Sequence, residues 1–159
     1  MSKVFTARDL MSRSLVTLKP DMDLEQAIDV LLKNKVSGAA VVGSEGEVLG
    51  VLSEKDCLRI FASGAYNSLP NTYVRDYMSK NVTTVAPDAD LFRVADLFLK
   101  NSFRRLPVVE DGVLIGQVSR RDVLERSRQL WQAAPAPREW TDSKYIPDEV
   151  RARLDSRKY

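Results

Sequence analysis

Histidine is missing from all 159 residues, and cysteine occurs once, at Cys57. Without imidazole the chain lacks the commonest general base and the commonest metal ligand, and one thiol can form neither an intrachain disulfide nor a zinc site of the usual kind. Most hydrolase triads and zinc enzymes are thereby excluded. Neither sign of charge is in excess: 24 Lys and Arg stand against 22 Asp and Glu, a net charge of +2. That balance argues against bulk nucleic acid as the main partner, so phosphate recognition is expected to be local. No apolar run is long enough to span a membrane. Arg8 and Asp9 follow Met1–Phe5 too closely to leave room for the apolar segment of a signal peptide. A cytoplasmic location is therefore expected. An apolar content of 44% with 29% charged residues describes one ordinary soluble domain, long enough to hold a core without covalent staples.

What the chain does have is an internal repeat. Met11–Val42 aligns without gaps on Met78–Val109, with 13 of 32 positions identical, among them Pro20/Pro87, Asp23/Asp90, Asp29/Asp96 and Asn34/Asn101. After one deletion the match resumes through Gly46/Gly112, Gly50/Gly116, Ser53/Ser119, Asp56/Asp122 and Leu58/Leu124. Upstream, Arg8-Asp9 recurs as Arg75-Asp76. A unit of some 55 residues is small for an independent core, so the two copies are expected to pack together. The expected division is unit 1 over 1–62, a linker over 63–74, unit 2 over 75–130 and a tail over 131–159.

Local signals agree between the copies. Leu15–Leu18 and Val82–Val85 are short β-rich runs closed by Pro20 and Pro87. Asp23 with Gln26 three positions on predicts a capped helix whose apolar stripe is Leu24, Ala27, Ile28, Leu31 and Leu32, and Asp90 opens its counterpart. Two hairpins follow, Ala39–Val42 with Val48–Leu52 and Pro107–Val109 with Val113–Val118. Each leads into a second helix, over Glu54–Phe61 and Arg120–Leu130. The fold class predicted is mixed α/β, two βαββα units related by a pseudo-twofold axis. In the tail, Pro135 and Pro137 favour extended chain and Pro147–Arg151 a short helix. The glycosylation sequon Asn81-Val82-Thr83 is read as coincidental in a cytosolic chain.

The duplicated order Val-Thr-x-x-Pro-Asp, helix, Leu-Pro-Val-Val-x-Asp-Gly, then Ile-Gly-x-Val-Ser-x-x-Asp resembles a pair of CBS (cystathionine β-synthase) domains, the Bateman module, over residues 7–130. The resemblance implies a non-catalytic regulatory protein. Such a protein binds AMP, ADP, ATP, NAD or S-adenosylmethionine in clefts between the units, dimerises, and signals to an effector protein, as in energy sensing. It implies no catalytic cofactor and no metal, only an adenine nucleotide as regulatory ligand.

Carried over residue by residue, the first site combines Ser53 and Asp56 with Met78, Thr83, Phe103, Arg104 and Arg105. The carboxylate would accept the vicinal ribose hydroxyls, and the arginine forks suit phosphate. The second site combines Ser119 and Asp122 with Met11, Val16, Val36, Ser37 and Gly38. No cation stands at Ser37-Gly38, so Arg120 and Arg121 would have to supply phosphate contacts, and this site is expected to be weaker, differently selective or empty. Ser-x-x-Asp is equally a helix cap, and capping alone would explain one copy; recurrence at matching places favours the ligand role. Cys57, whose repeat counterpart is Val123, is read as a packing residue. The alternatives are a dimerising scaffold with vestigial clefts and, less favoured, a nucleic-acid-binding protein. No Walker loop, Ser-x-x-Lys pair or Cys/His pair supports an enzyme.

Overall fold

The computed structural model describes residues 5–63 and 73–133. It divides into a unit over 1–127 and a second over 128–159, of which the described part is the end of the last helix. The elements run α1 (Ala7–Leu10), β1 (Thr17–Leu18), α2 (Leu24–Lys33), β2 (Gly38–Val42), β3 (Val48–Ser53), α3 (Glu54–Ala62), α4 (Val74–Tyr77), α5 (Leu91–Lys100), β4 (Arg105–Glu110), β5 (Val113–Ser119) and α6 (Arg120–Ala133). This is the mixed α/β repeat expected from the sequence, with a short helix added before each copy. The extended stretch and late helix expected at Pro135–Arg151, and most of the expected linker, lie outside the described residues.

The helices begin where their capping chemistry directs. The Asp23 side chain accepts from the Glu25 N–H at 2.9 Å while Gln26 reaches back to the Asp23 N–H, closing a capping box. Asp90 accepts from the Arg93 N–H at 2.8 Å. Leu24, Ala27 and Leu31 bury one face of α2, as Leu91, Val94 and Phe98 do in α5. The hairpins also match. The β4–β5 turn is the two-residue Asp111-Gly112, both with left-handed φ (50° and 81°), the backbone that a tight hairpin requires.

One expected strand is shorter than its sequence suggests. Of Val82–Val85, Val85 alone pairs, donating to the Pro107 carbonyl and accepting from the Val109 N–H. β1 likewise keeps Thr17 and Leu18, parallel to β2. In both copies β-propensity exceeds the partner edge that is within reach.

The two repeats exchange their leading segments. The α1 segment docks on the second repeat: Ala7 N–H donates to Ala89 O, Arg8 N–H to Pro87 O, and Leu91 N–H to Phe5 O. The α4 segment docks on the first: Val74 N–H donates to Met22 O and Arg75 N–H to Pro20 O. Ala7 and Leu10 are accordingly buried, as is Val74, which joins the core of Leu18, Leu31, Val41 and Leu52. Beyond each short helix a two-residue strap continues the exchange. Ser12 and Gln117 trade main-chain hydrogen bonds at 2.9 and 3.0 Å, and Ser79 and Val51 do so at 2.9 Å each. The recurring Arg8-Asp9 and Arg75-Asp76 mark these exchanged segments.

The straps need bare backbone beneath them. A Cβ on Gly50 would lie 2.6 Å from Met78 Sδ and 2.8 Å from the Ser79 carbonyl, and one on Gly116 would overlap the Met11 side chain. At Gly50 the Ser79 obstacle is main chain held by hydrogen bonds; at Gly116 the obstacle is a flexible thioether. We therefore expect Gly50→Ala to cost about 1–3 kcal/mol and Gly116→Ala clearly less. Urea unfolding of both variants checks the order, and equal losses would contradict this account of the straps.

Candidate functional site

A cleft of about 620 Å³ runs between the repeats. From the first repeat it is lined by Ser37–Ala40, Val51 and the Ser53–Asp56 turn that opens α3. From the second come Asn81–Thr83, which follow the strap, and Asn101–Arg105 with Pro107, the chain from α5 into β4. Ser79, the strap residue paired with Val51, and Gln117, the partner of Ser12, complete the wall. The exchange of leading segments is what presents Asn81–Thr83 to the first repeat's motif.

The Ser53 motif is a capping box in full. Ser53 Oγ and Ser53 N–H both donate to Asp56 Oδ2, at 2.6 and 2.9 Å, and the Asp56 N–H donates to Ser53 Oγ at 3.2 Å. Asp56 Oδ1, on a partly buried side chain, lies 3.5 Å from the guanidinium of exposed Arg59, a long and half-solvated contact of modest energetic weight. Ser119 and Asp122 repeat the box at 2.7, 2.7 and 3.3 Å. Capping thus occupies one carboxylate oxygen in each copy. The cap leaves the second oxygen out in both copies, and at Asp56 that oxygen has only the Arg59 guanidinium near it among the described residues, so the two readings of Ser-x-x-Asp are compatible.

Cations face these groups. Lys55, Arg104 and Arg105 line the cleft against two acids, Glu54 and Asp56. Among the described residues none of the three forms a side-chain hydrogen bond or ion pair. Unpaired guanidinium forks beside a helix start are a ready anion receptor. Phe103 adds a flat wall: its ring meets that of buried Phe98 edge-on, with centroids 5.8 Å apart. No group of three or more acidic or thiol side chains among the described residues could hold a metal ion.

Six of the seven residues expected at the first site line this one cleft: Ser53, Asp56, Thr83, Phe103, Arg104 and Arg105. Met78 does not. It lies behind the wall, on Gly50 and against the first repeat's core. The second set is dispersed. Ser37 and Gly38, expected beside Ser119 and Asp122, line the cleft of Ser53 and Asp56, because β2 pairs with β3 and sets Gly38 opposite Ser53. Val16 and Val36 pack on the first core, and Met11 on Gly116. Arg120 donates to the carbonyls of Asn101 and Phe103, and Arg121 pairs with Glu125 at 3.1 Å. Both arginines are engaged away from the anion role expected of them.

Sequence reasoning missed Lys55, Asn81, Asn101, Ser102 and Gln117. Gln117 carried a signal, as a polar residue in the apolar run Val113–Val118. Asn81, read only as part of a chance sequon, is a cleft residue beside the expected Thr83.

The CBS domain model matches residues 7–63 and again 74–128. The chain therefore belongs to the CBS domain family and carries two copies of the domain. It is 31% identical over 155 residues to the uncharacterized protein MJ1426 of Methanocaldococcus jannaschii, covering 77% of this chain and 91% of that one. It is 31% identical over 124 residues to MJ1225 of the same organism, covering 78% of this chain but only 43% of the relative. The crystal structure of CBSX2 in complex with AMP superimposes with a TM-score of 0.70 at 30% identity, covering 79% of this chain and 98% of that one. CBSX2 is a protein of Arabidopsis thaliana.

Cys57 follows Asp56 on α3 and is half-buried. Burial pushes its thiol pKa up first, and the Asp56 and Glu54 carboxylates push it further, against a smaller opposing backbone hydrogen bond. A raised pKa leaves less thiolate at neutral pH. Alkylation of the native protein by iodoacetamide should therefore be slower than that of the urea-unfolded chain and should rise only at more alkaline pH. Native alkylation as fast as unfolded would contradict this.

Proposed function

We propose that this CBS pair is a non-catalytic regulatory module that binds an adenosine-containing ligand in the cleft between its repeats and passes occupancy to a partner protein. One observation carries the reading: Ser53 and Asp56 of one repeat share a cleft with Phe103, Arg104 and Arg105 of the other. The known AMP complex of CBSX2, similar in both sequence and fold, supports it.

Each element of the ligand has a partner of suitable chemistry. Asp56 Oδ1 accepts from the ribose hydroxyls while Oδ2 remains in the cap, so binding costs the helix nothing. Arg104, Arg105 and Lys55 take the phosphate, and the α3 N-terminus adds free N–H groups. Phe103 and Thr83 border the base. A ligand held by both repeats favours the geometry in which they close on it, and that preference shifts the population of states a partner can read. With Ser37 and Gly38 in the Ser53–Asp56 cleft and Arg120 and Arg121 engaged elsewhere, a second ligand at Ser119 and Asp122 would lack these partners and bind more weakly.

In this reading a second copy of the chain docks on exposed apolar positions of the helices. Leu32 and Leu99, on α2 and α5, and Leu58 and Leu124, on α3 and α6, are repeat counterparts, each 64% to 71% exposed. Four large apolar side chains at matching positions suit a self-complementary interface. A cytoplasmic homodimer completes the reading.

AMP at saturation should raise Tm by several degrees, and Arg104→Ala/Arg105→Ala should weaken AMP binding at least about tenfold, equivalent to 1.4 kcal/mol. Asp56→Asn should weaken adenosine and AMP alike. No stabilisation by AMP, ADP, ATP, NAD or S-adenosylmethionine would overturn the sensor reading and leave the scaffold. Sedimentation should give a two-chain mass for the native protein and a one-chain mass for Leu58→Asp/Leu124→Asp. A native mass of one chain would refute the dimer.

A further inference from the structure

Arg120 lies outside the cleft, yet its guanidinium reaches back 17 and 19 residues. Nη2 donates to the Phe103 carbonyl at 3.1 Å and approaches the Asn101 carbonyl at 3.5 Å. Between the end of α5 and the start of β4 these residues have no ladder of their own. Asn101 is extended, and its side chain is spent on the Leu97 carbonyl at 2.9 Å, ending α5. The main-chain oxygens of the connection would otherwise be left to water. One guanidinium nitrogen, with two hydrogens, serves both as charge-assisted acceptors.

The device belongs to one repeat only. Its counterpart in the first repeat is Glu54, whose carboxylate cannot donate; the tie there is main chain, Glu54 N–H to Ser37 O at 2.9 Å. The loop so served in the second repeat carries Arg104 and Arg105, whereas the corresponding residues in the first are Ser37 and Gly38. The side-chain tie thus accompanies the loop that bears the cleft's two guanidinium groups. These repel each other and are held by no other side chain among the described residues. Neighbouring Arg121 takes no part, being paired with Glu125.

We infer that Arg120 is a positioning residue for anion recognition. It holds the Asn101–Arg104 backbone so that Arg104 and Arg105 converge on a ligand phosphate, without touching the ligand itself. The inference rests on the proposed function for its ligand and on the main-chain geometry for its mechanism. The Phe103 ring is anchored independently by Phe98, so the wall beside the base survives loss of Arg120 while the phosphate contacts do not.

The test compares Arg120→Ala with the native chain by two measurements. In the ligand-free protein, hydrogen exchange at the amides of Ser102–Arg105 should speed up at least about fivefold, with α3 and β2 amides unchanged and Tm within a few degrees of native. In calorimetric titrations, AMP affinity should fall about tenfold while adenosine affinity changes less than twofold. Arg120→Lys, which keeps a charged donor, should recover part of the AMP loss. Unchanged exchange in the loop, or equal loss of AMP and adenosine, would overturn the inference. If the native protein binds neither AMP nor adenosine, the proposed function fails. Exchange that then speeds up confines Arg120 to shaping the loop and overturns its role in anion recognition.

Discussion

Two pairs of main-chain hydrogen bonds govern this molecule: Val51 with Ser79 and Ser12 with Gln117. Each joins a strap that follows one short helix to the last strand of the other repeat. A unit of this size has too little interior to be comfortable alone, and the exchange lets each core borrow a helix, Val74 in the first and Ala7 with Leu10 in the second. The same exchange builds the cleft. Asn81–Thr83 reach the Ser53–Asp56 turn because Ser79, two residues earlier, is already fixed to Val51. A side chain at Gly50 would disturb core and cleft together.

The cleft is asymmetric although the fold is nearly symmetric. Both repeats build the same capped helix start, and both leave one aspartate oxygen outside the cap. What differs is the chain entering the hairpin: Ser37-Gly38 in one, Arg104-Arg105 in the other. Gly38 is confined there, since a Cβ would sit 3.1 Å from the Leu52 carbonyl. Arg105, at the same register opposite Ser119, carries a long cation. Duplication thus supplied two frames, and divergence at two adjacent positions concentrated positive charge in one.

Much of this was legible in the residues. The repeat, the helix stripes, both hairpins and the Ser-x-x-Asp turns follow from spacing and capping chemistry that act within a few positions. Most of the first site followed as well, because a family pattern could be laid on matching residues. What sequence could not supply was long-range. The docking of α1 on the second repeat depends on hydrogen bonds between residues some eighty apart, which no local pattern encodes. Arg120 read as a phosphate ligand because its neighbours belong to a motif; its fork turns instead to carbonyls in the preceding loop. Ser37 and Gly38 were assigned by pseudo-symmetry, whereas β2–β3 pairing holds them beside Ser53. The family pattern places Met78 among the ligand residues, whereas its side chain packs on Gly50.

The central claim is that one ligand is held jointly by both repeats in a single cleft. A crystal structure of the protein with AMP tests it most directly. The account predicts the ribose on Asp56 and the phosphate on Arg104 and Arg105 of the same chain. A nucleotide bound through one repeat only, or seated away from this cleft, would contradict it.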